Sequence, residues 1–115
     1  MSADTAGATG LAGYERVSDA GLAPGELRQA RLADGTLVCV GNARGEVFAI
    51  ADECPHASFS LSDSSLLPDG TLECACHGAR FDVHAGRVLR GPATEPPERF
   101  EVVEAEGGVW VRRRA

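Results

Sequence analysis

The sequence predicts an all-β protein, with short antiparallel hairpins packed as a sandwich or barrel. Glycine (14) and proline (6) recur at short intervals, and the runs between them are brief and strand-like. No window keeps a 3.6-residue apolar period for the ten or so residues that a helix call for. The 115 residues, 43% of them apolar, suit one domain with one core region.

Residues 1–12 are Gly, Ala, Ser and Thr around few apolar groups and read as a disordered tail. The domain then runs over 13–115. Tyr14–Ser18 opens it, followed by a polar turn at Ala20–Gly25. Glu26–Leu32 and Thr36–Val40 flank Ala33-Asp34-Gly35, whose Asp-Gly pair signals a hairpin. Asn42–Gly45 reads as a second turn before Val47–Ala51. Residues 52–70 alternate little and read as a long loop, a length that usually signals function. Leu72–Ala75 and Arg80–Val83 follow as short strands around Cys76–Ala79, and His84-Ala85-Gly86 turns into Arg87–Arg90. Arg99–Glu104 and Val109–Arg112 close the chain around Glu106-Gly107-Gly108.

A net charge of −6 argues against nucleic acid or an anionic membrane as partner, since both attract basic faces. No run approaches the ~20 apolar residues of a membrane span, and the first residues lack the charged and apolar regions of a secretory signal. A cytoplasmic location is therefore expected, where cysteines serve metals more often than disulfides. Cys39, within the apolar run Leu37–Val40, is expected to be a buried structural thiol.

The long loop presents Cys54-Pro55-His56 and the next loop Cys74-Ala75-Cys76-His77, with 17 residues between His56 and Cys74. Two thiolates and two imidazoles suit a tetrahedral zinc. They equally suit a two-iron, two-sulfur cluster in which imidazoles replace two thiolates on one iron. Structural zinc sites usually pair like with like, a few residues apart. Here each loop offers one ligand of each kind, which favours the cluster. Cys-Ala-Cys-His still leaves three candidate ligands in the second loop.

Together, Cys54-Pro55-His56 and the stretch from Cys74 to Asp82 resemble the C-x-H and C-x-x-H-G boxes of the Rieske iron–sulfur family. Gly91-Pro92-Ala93 and Pro96-Pro97 are similar to the proline-rich loop that covers the cluster there. The resemblance extends over about residues 14–113. It implies a Rieske-like antiparallel β sandwich or barrel, with a small cluster-binding subdomain at about 52–92 formed by two loops. It assigns one 2Fe-2S cluster per chain to Cys54, His56, Cys74 and His77, with the histidines at an exposed tip where partners dock. In the respiratory branch of the family, a cysteine at the position of Cys76 forms a disulfide with the first loop. The matching position here is Phe59, so Cys76 is expected to be a free, packed thiol. That branch also carries a serine and a tyrosine whose hydroxyls bond to sulfur, where this chain has Ala79 and Phe81. The expected midpoint is therefore low, roughly −150 to −50 mV within the ~−150 to +300 mV of such centres.

Small soluble Rieske ferredoxins of aromatic-ring oxygenase systems resemble the chain in length and in the missing disulfide. This implies a monomeric one-electron carrier between an NAD(P)H-dependent flavin reductase and a terminal non-heme iron oxygenase. The chain cannot be the oxygenase, whose iron needs two histidines and a carboxylate, because only His84 remains. His84 is expected to be a solvated turn residue. Arg80, Arg87 and Arg90 read equally as a docking patch or a solvated strand face. Three alternatives stand beside the carrier: a small subunit of an assimilatory nitrite reductase, a zinc-stabilised interaction module, and a redox sensor using Cys76.

Overall fold

The computed structural model describes residues 13–53, 60–74, 78–85, 87–91 and 97–114. Among the described residues, ten strands follow one another: β1 (Glu15–Ser18), β2 (Leu27–Arg31), β3 (Leu37–Ala43), β4 (Glu46–Ala51), β5 (Ser65–Leu66), β6 (Thr71–Glu73), β7 (Arg80–Asp82), β8 (Arg87–Arg90), β9 (Arg99–Ala105) and β10 (Gly108–Arg113). A 3-10 turn at Leu61–Asp63 precedes β5. The all-β expectation holds.

Turn chemistry sets the hairpins. Arg44 and Gly45 join β3 to β4 with φ of 58° and 92°, and Glu106 and Gly107 join β9 to β10 with φ of 53° and 76°. Two consecutive left-handed residues give the turn whose twist matches paired strands. The β2–β3 loop uses Asp34 instead: Oδ1 accepts from the Thr36 N–H at 2.9 Å, while the Gly35 N–H donates to Leu32 O. Asp69 and Gly70 repeat this pattern before β6, with Asp69 Oδ1 accepting from the Thr71 N–H at 3.0 Å.

The strands form two sheets, one ordered β1-β10-β9-β4-β3-β2 and one ordered β5-β6-β7-β8. The larger curls into a nearly closed barrel. Its end strands meet where Arg28 of β2 donates to Ser18 Oγ of β1 at 2.6 Å. Closure of this kind shields the edges that an open sheet would expose.

Two cores result, and β3 and β4 divide their side chains between them. Val38 and Val40 of β3 join Ala49 of β4, Phe100, Val109 and Val111 inside the barrel. The alternate residues Cys39, Phe48 and Ile50 face outward and pack against Leu61, Leu72, Cys74, Ala79, Phe81 and Val83 of the smaller unit. Successive side chains of a strand point to opposite faces, so a wall buried on both sides must be apolar at nearly every position. Burying each large side chain in this second core stabilises the joint by roughly 1.5–3 kcal/mol.

Two segments differ from the sequence expectation by more than an end residue. β3 continues to Ala43 instead of turning at Asn42. Asn42 is buried in the strand, and its side chain accepts from the Gly45 N–H and donates to Leu22 O. The expected loop 52–70 also contains the 3-10 turn and β5, which pairs with β6. The expected tail at residues 1–12 lies outside the described residues.

Candidate metal centre

Of the four expected ligands, Cys74 is described, whereas Cys54, His56 and His77 lie outside the described residues. So do Phe59, Cys76, Pro92, Ala93 and Pro96. Cys74 stands at the end of β6, 1% exposed. Its N–H donates to Ala79 O at 2.7 Å and its carbonyl accepts from the Gly78 N–H at 2.9 Å. These two bonds close the loop that carries His77. Gly78 sits at φ 77°, a conformation that a side chain would strain.

Cys39 and Cys74 share the second core, and neither is in a disulfide. Their settings differ. Cys39 lies mid-strand opposite Ile50, and burial, with the nearby Asp52 charge, pushes its thiol well above the ordinary range. A thiol held protonated is packing, as expected. Cys74 instead heads a tight loop at the end of a strand, the placement that suits a ligand.

Asp52 defines the base of the other loop. It follows β4, and Phe48, Ile50 and Asp52 continue one face of the strand toward the smaller unit. The residue is 6% exposed. Oδ1 accepts from the Ser62 N–H at 2.6 Å, and Oδ2 accepts from Ser62 Oγ at 2.8 Å and Gln29 Nε2 at 2.7 Å. The sequence offers no sign of this arrangement beyond an acid two residues before Cys54, because its partners lie 23 and 10 positions away.

Arg80 is committed to Glu73 across β6 and β7 at 3.0 Å, while Arg87 and Arg90 are exposed on β8 at the edge of its sheet. His84 occupies the turn after β7, yet it leans back on the β3–β4 hairpin. Its Nε2 lies 3.4 Å from Ala43 O, and the ring meets Phe48 edge-on at 6.1 Å. Asp82 organises that turn; the N–H groups of Ala85 and His84 hold its carboxyl below the usual range.

Two buried sites bracket the interface between barrel and smaller unit: Cys74 on one loop and Asp52 at the foot of the other. The donor set expected from the sequence, two thiols and two imidazoles, fits iron of a two-iron cluster with mixed ligation, and the described member, Cys74, is buried at the root of its loop. Ala79 and Phe81 complete the apolar lining, at 0% and 1% exposed.

Comparison with known proteins agrees with this chemistry. The Rieske [2Fe-2S] domain model matches residues 14–105. The 3-phenylpropionate/cinnamic acid dioxygenase ferredoxin subunit of Shigella flexneri serotype 5b is 37% identical over 78 residues, covering 68% of this chain and 73% of that protein. The subunit of the same name from Photorhabdus laumondii is 37% identical over 67 residues, 58% of this chain and 64% of its own length. In structure, a chain of the complex of reduced oxygenase and oxidised ferredoxin in carbazole 1,9a-dioxygenase superposes with a TM-score of 0.79 at 30% identity. That match covers 90% of this chain and 97% of the other.

Proposed function

Because this chain belongs to the Rieske [2Fe-2S] family, we propose that it is an electron carrier and not an enzyme, the ferredoxin component of an aromatic-ring oxygenase system. Cys54, His56, Cys74 and His77 would hold the cluster, one per chain. When bound, a two-iron, two-sulfur cluster takes up and gives out one electron at a time. Replacing two thiolates by neutral imidazoles removes two negative charges from the ligand set, which favours the reduced state.

The chain's own residues do the rest. The paired bonds between Cys74 and the Gly78-Ala79 segment hold the backbone at Cys74, so this residue moves little when charge changes. Leu72, Ala79 and Phe81 keep water from the buried sulfur of Cys74. Neither Ala79 nor Phe81 offers a hydroxyl, so the midpoint stays toward the low end, roughly −150 to −50 mV. That poise suits electrons arriving from an NAD(P)H-dependent flavin reductase and leaving to a terminal non-heme iron oxygenase. His56 and His77 form the exit point of a monomeric, cytoplasmic protein. Among the described residues, no helix is long and apolar enough to cross a membrane.

The observation that carries this reading is the buried Cys74 at the mouth of a loop closed on Ala79, within a chain that matches the family over residues 14–105. The test is anaerobic reduction of the purified chain, followed by EPR and a redox titration. A red-brown protein with a Rieske-type reduced signal and a midpoint in the stated window supports the reading. A colourless protein containing zinc, or a midpoint above about +100 mV, overturns it.

A further inference from the structure

Buried carboxylates are rare unless something holds them. Asp52 is 6% exposed, and its carboxylate accepts three hydrogen bonds from two separate parts of the molecule. Gln29 belongs to β2 of the barrel and Ser62 to the 3-10 turn of the smaller unit. The Asp52 N–H adds a fourth tie, donating to Leu37 O of β3 at 3.1 Å. Its side-chain partners among the described residues are neutral donors. Among the described residues, no Lys, Arg or His forms an ion pair with it. The charge is hydrogen-bonded and, among the described residues, meets no cation.

Its place in the chain gives that charge a purpose. Asp52 lies two residues before Cys54, so their Cα atoms are at most about 7 Å apart. A carboxylate tied at that point fixes where the first ligand loop leaves β4. Groups that orient metal ligands without touching the metal commonly change affinity and potential when removed.

We propose that Asp52 is the positioning residue of this metal centre: it pins the segment entering Cys54 between barrel and smaller unit, and its negative charge holds the midpoint down. The inference rests on the reading of Cys54 as a ligand. Ser62 is then the partner that ties Asp52 to the smaller unit, and Gln29 the partner that ties it to the barrel.

The test uses the full chain with its cluster, comparing Asp52→Asn, Asp52→Ala, Ser62→Ala and Cys54→Ala. Cluster release into excess chelator is followed by visible absorbance, and the midpoint by redox titration. Urea unfolding runs in parallel. Asp52→Asn keeps the shape and removes the charge, so its midpoint should rise above that of the wild type. Asp52→Ala should release the cluster roughly tenfold faster, the lower end of the effect usual for groups that orient metal ligands. Ser62→Ala should speed release with little change in midpoint, because the charge remains. Should Asp52→Ala fail to fold, the potential of Asp52→Asn still decides. Unchanged midpoint and release in Asp52→Asn overturn the proposal, as does a loss of urea stability with neither of the other two altered. If instead Cys54→Ala keeps a normal cluster, the ligand reading itself has failed.

Discussion

Substituting Phe81 by Tyr adds one hydroxyl to the second core and tests the proposal of a low midpoint directly. Phe81 is 1% exposed, paired with Leu72 of β6 and Val88 of β8, in the same cluster as Cys74 and Ala79. A hydroxyl placed there has two possible fates. If it reaches sulfur, it donates to a group that gains negative charge on reduction, so the bond is stronger in the reduced state. A difference of about 1–2 kcal/mol is reasonable for a bond that gains charge assistance. At ~59 mV per factor of ten for one electron, that raises the midpoint by roughly 40–90 mV. If it reaches nothing, the protein loses about 1–3 kcal/mol of stability for an unsatisfied buried polar group, and the midpoint stays. The expected result for Phe81→Tyr is the first, read by voltammetry with urea unfolding as the control. A variant that keeps its cluster while the midpoint is unmoved or lower would refute the reasoning. A low midpoint could not then be ascribed to the missing hydroxyl at this position.

Three further outcomes are expected. His77→Cys replaces a neutral ligand by a thiolate, so the midpoint should fall, as a redox titration would show; an unchanged value would mean that His77 is not a ligand. Gly41→Ala should destabilise the chain by about 1–3 kcal/mol in urea unfolding, as overpacking does. A Cβ there would lie 2.6 Å from the Phe48 ring and 2.9 Å from the Glu26 carbonyl, and the carbonyl cannot swing away. Asp34 is held at about 2, below its usual 3.8, by the Thr36 hydroxyl and N–H and by Arg113. A lowered carboxyl contributes stability that is complete above its unfolded value and lost as pH falls through the folded one. Asp34→Asn should therefore flatten the acid-unfolding limb between pH 3.8 and about 2, and an unaltered limb would show that the pairing is idle.

The sequence made the strands legible wherever turn chemistry was local. The Asp34-Gly35 signal gave the β2–β3 hairpin, and Glu106-Gly107 gave β9–β10. The same Asp-Gly signal stands at Asp69-Gly70 and marks the hairpin before β6. Its strand β5 is only two residues long, too short for a period to register, and so the segment reads as loop. Asn42 misleads for a different reason. It is a common turn residue, but here its side chain serves the turn from within the strand, three residues before Gly45. Asp52 was invisible because its meaning depends on Gln29 and Ser62, which only the folded chain brings to it.

The two-faced wall explains why ligand chemistry and fold can be read from different parts of the same chain. β3 and β4 carry apolar residues on both faces, so they specify where the smaller unit must dock whatever its loops contain. The loops are then free to vary in composition around the cysteines and histidines, held at their roots by backbone bonds such as those of Cys74. A loop that carries function on a rigid scaffold is a general arrangement. In this chain the scaffold ends at Ala51, and the first polar side chain beyond it, Asp52, is buried against the smaller unit instead of reaching solvent. The transition from fold to site is therefore a single residue wide. A change at Ile50 should register chiefly in stability, and a change at Asp52 chiefly in the behaviour of the metal centre.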